Sequence, residues 1–443
     1  MKLHNIALLL ATVLLTAVLA IAGQFHAAFL VSFIGGAAAR PWSDHQSGVF
    51  ATNTIDSALQ LTEVLENAMR ALKRKLLVLT QLGAIYRDVA LKGNDVMAVP
   101  FYPLTATGTS QVRAANGSRK ALATDTATQS RVISSFTNQV QVLSFTAKDK
   151  ARQPMFDPVK HGQLKGEALA FDVIADIFSI VRTKNFGSAT IPNTTATNFD
   201  ENDVGDLRTA CVNSYWPEMN RSLILSPSYG TNLLKQPQII NASMRGDNGQ
   251  AFRDGVIGNV LGFDVGETAG LPTNNFTPVT ISGGVAATNI ITTAAPHLLT
   301  VGDRLIFPAL TGGAGLTAAT VEYFVETVPS TTTFTVSATL GGAQFDFTTD
   351  ISAGTVQHYE DVRGFAALQS ALLIGFAPVP PTPAILHNMF DYQELNDEET
   401  GLTLQFYHYG DPDTDTEVQS IECHYGYGLG DSNQLKIIRG SLT

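Results

Sequence analysis

Two alternating segments bracket a long polar stretch, and this arrangement constrains the fold more than any other feature. Val96 to Tyr102 reads as a strand after the Gly93-Asn94-Asp95 turn. Arg131 to Ala147 alternates again, with Val132, Val140, Val142, Leu143 and Phe145 in a Thr/Ser/Gln background. Between them, Thr105 to Gln129 is rich in Thr, Ser, Ala and Gly, carries Arg113, Arg119 and Lys120, and holds almost no large apolar side chain. The pattern is that of an extended β-hairpin. A two-stranded ribbon cannot bury a core of its own, so it must lie on something else, and a partner chain is the natural candidate.

Helical periodicity flanks the hairpin. Thr54-Ile55-Asp56-Ser57 starts a helix along which Leu59, Leu61, Leu65, Ala68, Met69, Leu72 and Leu76 recur at three- and four-residue spacing. Asp56 or Ser57 is the expected N-cap. Arg70, Lys73, Arg74 and Lys75 crowd its far end, as suits a helix C-terminus. They read either as a basic arm facing nucleic acid or an acidic subunit, or as a solvated helix face. Gly162 to Thr183 is the clearest helix, with one expected apolar stripe of Leu164, Ala168, Phe171, Ile174, Ala175, Ile177, Phe178 and Val181.

Further along, Asn185 to Asn198 reads as a linker and Asp200 to Ser214 as a helix with Val204, Leu207 and Cys211 on one side. Leu223 to Leu225 is a short buried strand, Tyr229 to Lys235 is helical, and Gly255 to Val265 is a strand pair. Asp361 to Phe376 reads as a helix bearing Phe365, Leu368, Leu372 and Leu373, stopped by Pro378, Pro380, Pro381 and Pro383. Leu402 to Tyr409, Val418 to Tyr427 and Lys436 to Ile438 are strands, with an acidic hairpin tip at Asp411 to Glu417.

The segment from about Thr277 to Val356 differs in kind. It is almost uncharged and dense in Thr, Gly, Val and Phe, with short alternating runs separated by turns at Gly302-Asp303 and Gly341-Gly342. That pitch indicates a small β-sandwich or barrel inserted into the surrounding pattern.

Composition excludes several classes. The 443 residues carry 28 Lys+Arg against 39 Asp+Glu, a net charge of −11, which argues against a nucleic-acid reader with a broad basic face. Charged residues are 15% of the chain, against about 25% in an average domain, so neighbours or a large core must cover much of the surface. Cys211 and Cys423 are too few and too distant for a disulfide scaffold and read as buried free thiols. There is no phosphate loop, dinucleotide fingerprint, zinc-protease motif or nucleophile elbow. His408 and His424 read as stacked or satisfied core histidines. No catalytic, cofactor-binding or metal-ligating residue is assigned, no cofactor is expected, and the chain is not read as an enzyme.

Lys2, an apolar run from Ile6 to Ala22 and the Ala20-Ile21-Ala22 ending have the three parts of a secretory signal, and a second apolar stretch follows to Ala39. Sequons at Asn116, Asn193, Asn220, Asn241 and Asn275 fit the same reading. A secreted or surface-anchored β-rich binding protein is therefore a standing alternative, against a mis-assigned start or removable extension.

The ordered parts resemble the major capsid proteins of tailed bacteriophages, of the Hong Kong 97-type fold. Thr54 to Tyr86 looks like the family's N-terminal arm, Gly93 to Lys148 like its extended loop, and Leu164 to Arg182 like its spine helix. Pro217 to Lys235, with Ser226-Pro227 ahead of a helix, and Gly258 to Pro272 (GNVLGFDVGETAGLP) are similar to axial-domain stretches, and Gly364 to Ala377 and Tyr425 to Ile438 to the closing elements. The resemblance implies an α+β fold divided as an N-terminal extension (1–50), arm (51–92), extended loop (93–150), peripheral domain (151–200), axial domain (201–276), inserted immunoglobulin-like β domain (277–357) and axial/peripheral return (358–443). It implies self-assembly into hexamers and pentamers of an icosahedral virion shell, assembled in the host cytoplasm around double-stranded DNA touched non-specifically. Scaffolding, portal and decoration proteins are the expected partners, with no small-molecule substrate. An encapsulin-like nanocompartment shell is a weaker alternative.

Overall fold

A computed structural model describes residues 50–82, 85–86, 97–101, 129–133, 136–146, 158–240, 257–273, 276–377, 389–397, 401–411 and 416–441. The apolar N-terminus, the Gly93 to Asp95 turn, the polar hairpin tip, the Pro378 to Pro383 stop and the loop at 412–415 lie outside them. The chain divides into two units between Gln60 and Leu61. Only helical residues 50–60 of the first are described, and the packing below belongs to the second.

Helix α1, Phe50–Leu82, buries Val64, Leu65, Ala68, Met69, Leu72, Leu76, Leu79 and Leu82. Leu79 and Leu82 carry the stripe beyond the expected end. Arg70 to Lys75 therefore lie mid-helix, not at a C-terminus, and Asp56 and Ser57 lie inside the helix rather than capping it. Helix α2, Pro158–Phe178, buries Leu169, Ala170, Val173, Ile174, Ile177 and Phe178, but leaves Leu164 64% and Phe171 42% exposed. The expected single stripe thus merged two faces. One is core, and the other, Leu164-Ala168-Phe171-Ala175, faces outward. The expected linker holds a helical turn, α3 (Thr183–Phe186), and an edge strand, β5 (Ile191–Thr194).

Strand β1 (Ile85–Tyr86) pairs in parallel with Leu372–Phe376, and β2 (Met97–Phe101) pairs antiparallel with β3 (Gln129–Ile133) in register Met97 to Ile133. Strand β4 (Phe136–Thr146) then leaves the hairpin and runs antiparallel along Thr416–Leu429, from Thr146 opposite Thr416 to Phe136 opposite Gly426. The hairpin base is therefore covered by this chain. Met97, Val99 and Ile133 bury against Leu373 and Ala377.

Helix α4 (Glu201–Asn213) opens on a capping box. The Asp200 carboxylate accepts the Asn202 and Asp203 amides, and Asp203 accepts the Asp200 amide at 3.2 Å. Strand β6 (Arg221–Leu225), helices α5 (Pro227–Leu234) and α6 (Pro237–Ile240), and strands β7 (Asn259–Val260) and β8 (Phe263–Glu267) follow.

Strands β9 (Val279–Val285), β10 (Ile290–Thr293), β11 (Arg304–Gly312), β12 (Tyr323–Val325), β13 (Thr333–Phe334), β14 (Val336–Ser337) and β15 (Ile351–His358) form one seven-stranded antiparallel ladder in the order β13-β10-β9-β15-β11-β12-β14. It closes over its own core of Ile281, Ile291, Leu305, Phe307, Tyr323 and Phe334. The hydrogen bonds make one continuous sheet, not the two of an immunoglobulin sandwich.

The expected helix at 361–376 is instead two strands, β16 (Val362–Ala367) and β17 (Leu372–Phe376). With β18 (Asp391–Asn396), β19 (Thr403–Asp411), β20 (Thr416–Leu429) and β21 (Leu435–Gly440) they complete two mixed sheets. The first runs β1-β17-β20-β19-β18 with β4 on β20, and the second β5-β21-β16-β6-β8-β7. Phe365, Ala367, Ile224 and Ile437 face the core beneath α1 and α2. Ala366, Leu223, Leu225 and Ile438 face a second core beneath α4 and α5. Both faces of this second sheet are buried, so its strands read as continuous apolar runs, which periodicity alone cannot tell from helix.

Candidate functional site

Among the described residues no group of three or more His, Cys, Asp or Glu could hold a metal ion, and no helix is long and apolar enough to cross a membrane. Both cysteines are free and buried, and burial pushes their thiols up, to about 11 at Cys211 and about 12 at Cys423. His408 donates to Glu417 at 2.7 Å. His424 donates from Nδ1 to the Ala377 carbonyl at 2.7 Å and stacks on Phe136. Both histidines hold strands together. The informative geometry lies in surfaces and joints.

The first surface is the outward face of α2 with β4 beside it. Lys165 Nζ donates to the Val142 carbonyl at 3.0 Å, and Gln141 donates to Asp172 at 3.1 Å, so helix and strand are fastened side by side. Leu164, Phe171, Val140 and Val142 all face solvent there. Such an apolar patch on a rigid element marks an interaction site. Three of the four basic residues of α1 are engaged locally. Arg70 pairs with Glu66 at 3.5 Å, Lys73 pairs with Asp397 at 3.2 Å, and Lys75 lies 5.3 Å over the Phe171 ring. Arg74 is exposed.

What holds this surface rigid lies beneath it. Gly162 and Gly166, one turn apart on α2, bring its backbone against α1. A Cβ on Gly166 would stand 2.8 Å from the Ala68 Cα, and one on Gly162 would stand 3.1 Å from the Val64 Cα. On the same helix the Asp176 carboxylate accepts the Tyr425 hydroxyl at 2.7 Å and the Tyr427 hydroxyl at 2.9 Å. Burial, then the neighbouring Asp176 charge, pushes the Tyr425 phenol far above its ordinary range. The helix is thereby bolted to β20, the strand that carries β4.

The second feature is a buried ionic joint between the seven-stranded sheet and its surroundings. Arg304 on β11 is fully buried and donates to both oxygens of Glu322. Glu322 also receives two bonds from Arg439 of β21, each 2.9 Å. Arg304 lies 4.9 Å over the Tyr359 ring. Glu360 is fully buried and accepts from the Thr183 amide at 3.1 Å and its hydroxyl at 3.2 Å. Burial raises its carboxyl, the charge of Arg304 and the Thr183 bonds opposing. Lys184 pairs with Asp303 at 2.7 Å. Sequence reasoning missed this joint because its members come from segments far apart in the chain, and isolated charges in an uncharged block carry no local signature.

No protein-family model and no curated protein matches the chain. Solved structures do. The capsid structure of cyanophage P-SCSP1u aligns over 82% of this chain and 87% of its own, at 14% identity and a TM-score of 0.42. The chain is similar to phage capsid structures. The asymmetric unit of the bacteriophage PhiM1 mature capsid aligns over 80% of this chain and 88% of its own, at 12% identity and a TM-score of 0.38. A virus-like particle from Pyrococcus furiosus aligns over 86% and 99%, at 9% identity and a TM-score of 0.37.

Proposed function

We propose that this chain is a major capsid protein of the Hong Kong 97 type, a structural subunit and not an enzyme, that self-assembles into an icosahedral virion shell. The observation that carries the reading is the α2/β4 surface. A helix locked in place by two glycines and the half-buried Asp176 carboxylate presents Leu164 and Phe171 to solvent, beside a strand presenting Val140 and Val142. Covering what remains exposed of each such side chain is worth about 1 kcal/mol, so the patch calls for a cover that one subunit does not supply. The polar Thr105 to Gln129 segment of a neighbouring copy, expected from the sequence to tip the hairpin, is the proposed cover. It carries Arg113, Arg119 and Lys120, opposite in sign to Asp172 and Glu167 on α2. Repeated head-to-tail contacts of this kind generate closed rings, here hexamers and pentamers.

Within the shell the −11 chain meets DNA through few cations, exposed Arg74 among them, so packaging is by charge and not by sequence. Scaffolding, portal and decoration proteins are the partners such a shell takes, and assembly is placed in the host cytoplasm. The 277–357 block, fastened to the subunit through Glu322 and Arg439, serves as outward decoration or as a bridge between capsomers. Sedimentation of the purified full chain, with nuclease challenge of any particles, tests the reading. Fast-sedimenting particles that shield DNA support it. A monomer under all assembly conditions overturns it, and particles filled with protein cargo instead indicate a nanocompartment.

A further inference from the structure

Where the seven-stranded sheet meets the end of the spine helix there is a cleft of about 470 Å³, a volume suited to a small ligand. Phe276, Val279 and Leu299 supply apolar wall. The polar groups are unbalanced toward donors. Asp303 is the carboxylate in the floor; it is paired with Lys184, but its Oδ1 makes no hydrogen bond among the described residues. Oδ2 accepts the Thr300 amide at 2.7 Å and the Thr300 hydroxyl at 2.9 Å, while Oδ1 faces Lys184 Nζ at 2.7 Å. Arg182 uses Nε on the Ser179 carbonyl at 2.7 Å and lays its guanidinium 5.9 Å from the centre of the Phe276 ring. Its two terminal nitrogens make no hydrogen bond among the described residues. His358 packs on Phe276 with ring centres 4.2 Å apart, and its buried Nε2 has no hydrogen-bond partner among the described residues, the nearest Asp303 oxygen being 3.9 Å away.

We propose that this cleft is a binding site for a small carboxylate with a flat apolar body, the carboxylate held by Arg182 and Lys184 and the body lying against Phe276 and Leu299. An anion fits because two cations, Arg182 and Lys184, share the cleft with one carboxylate, Asp303, which pairs with Lys184 and leaves one positive charge unmatched. A planar body fits because the apolar wall is built around a ring clasped by Arg182 and His358. The site is formed within one chain and does not depend on assembly.

Saturation-transfer NMR on the full chain tests this with benzoate as probe and benzamide as its uncharged isostere. Saturable binding of benzoate, with benzamide much weaker, is expected. Arg182→Gln removes a charge-assisted bond and should weaken benzoate about ten-fold or more. Because Arg182 also holds the helix end, a second variant uses Leu298, which is 89% exposed at the mouth. Leu298→Glu places a like charge there without touching the core and should also weaken benzoate. No saturable benzoate binding, equal binding of benzamide, or binding unchanged by Leu298→Glu would overturn the proposal.

Discussion

Adding one methyl group to Gly166 should loosen the subunit at the contact that fixes its assembly surface. The new Cβ would stand 2.8 Å from the Ala68 Cα and 2.9 Å from its carbonyl carbon. Carbon pairs prefer about 3.5–4.0 Å, so α1 and α2 must part by roughly 1 Å. Both obstacles are backbone, and no side chain can swing aside. A gap of that size forfeits a quarter to a half of each contact's attraction, here along Leu65, Leu72, Leu169 and Val173. Overpacking of this kind costs about 1–3 kcal/mol. Alanine's better helix propensity returns about 1 kcal/mol, leaving a net loss of up to about 2 kcal/mol. Gly205 on α4 is the internal control, since a Cβ there meets nothing within 4 Å. Gly205→Ala should stabilise by up to about 1 kcal/mol through propensity alone. Urea denaturation of the unassembled subunit, followed by circular dichroism, measures both. A Gly166→Ala protein as stable as the parent would refute the close-crossing argument, whatever Gly205→Ala does.

Glu322→Gln leaves the fully buried Arg304 without its counter-charge and should cost about 3–5 kcal/mol, read as a lowered thermal midpoint. His358 is held neutral, its pKa lowered to about 4 by burial, the charges of Arg182, Lys184 and Arg304 assisting and that of Asp303 opposing. Because the unfolded imidazole binds protons more readily, its contribution is present above about pH 6.5 and drains away as pH falls toward 4, by about 3 kcal/mol in all. His358→Gln should flatten that part of the pH–stability profile, while the raised Glu360 carboxyl works in the opposite direction, losing stability as pH rises. Replacing Leu164, 64% exposed, with Glu should leave subunit stability within about 0.5 kcal/mol yet abolish particle formation, scored by sedimentation.

Much of the architecture was readable from local pattern. The α1 stripe, the helix from Asp200 and the alternation at 402–409 and 418–427 are dictated by neighbours in sequence, and the structure has each of them, together with a capping box at Asp200 that went unread. The helix read at 361–376 failed because β16 is buried on both faces, which erases the period-two signal. The α2 stripe failed more usefully. Leu164 and Phe171 are apolar for the same reason as Ile174 and Phe178, to be covered, but by something other than this subunit's core. The hairpin was expected to lean on a partner, and its base leans on β20 and β17 instead. The Arg304–Glu322–Arg439 joint and the donor-rich cleft could not be foreseen, because only the tertiary fold brings residues 182, 303, 322, 358 and 439 together.

Electron microscopy of negatively stained, purified full-length protein tests the shell assignment most directly. A capsid subunit gives closed, uniform particles with hexameric and pentameric facets. A field of isolated subunits at every protein concentration, salt and pH tried would contradict it.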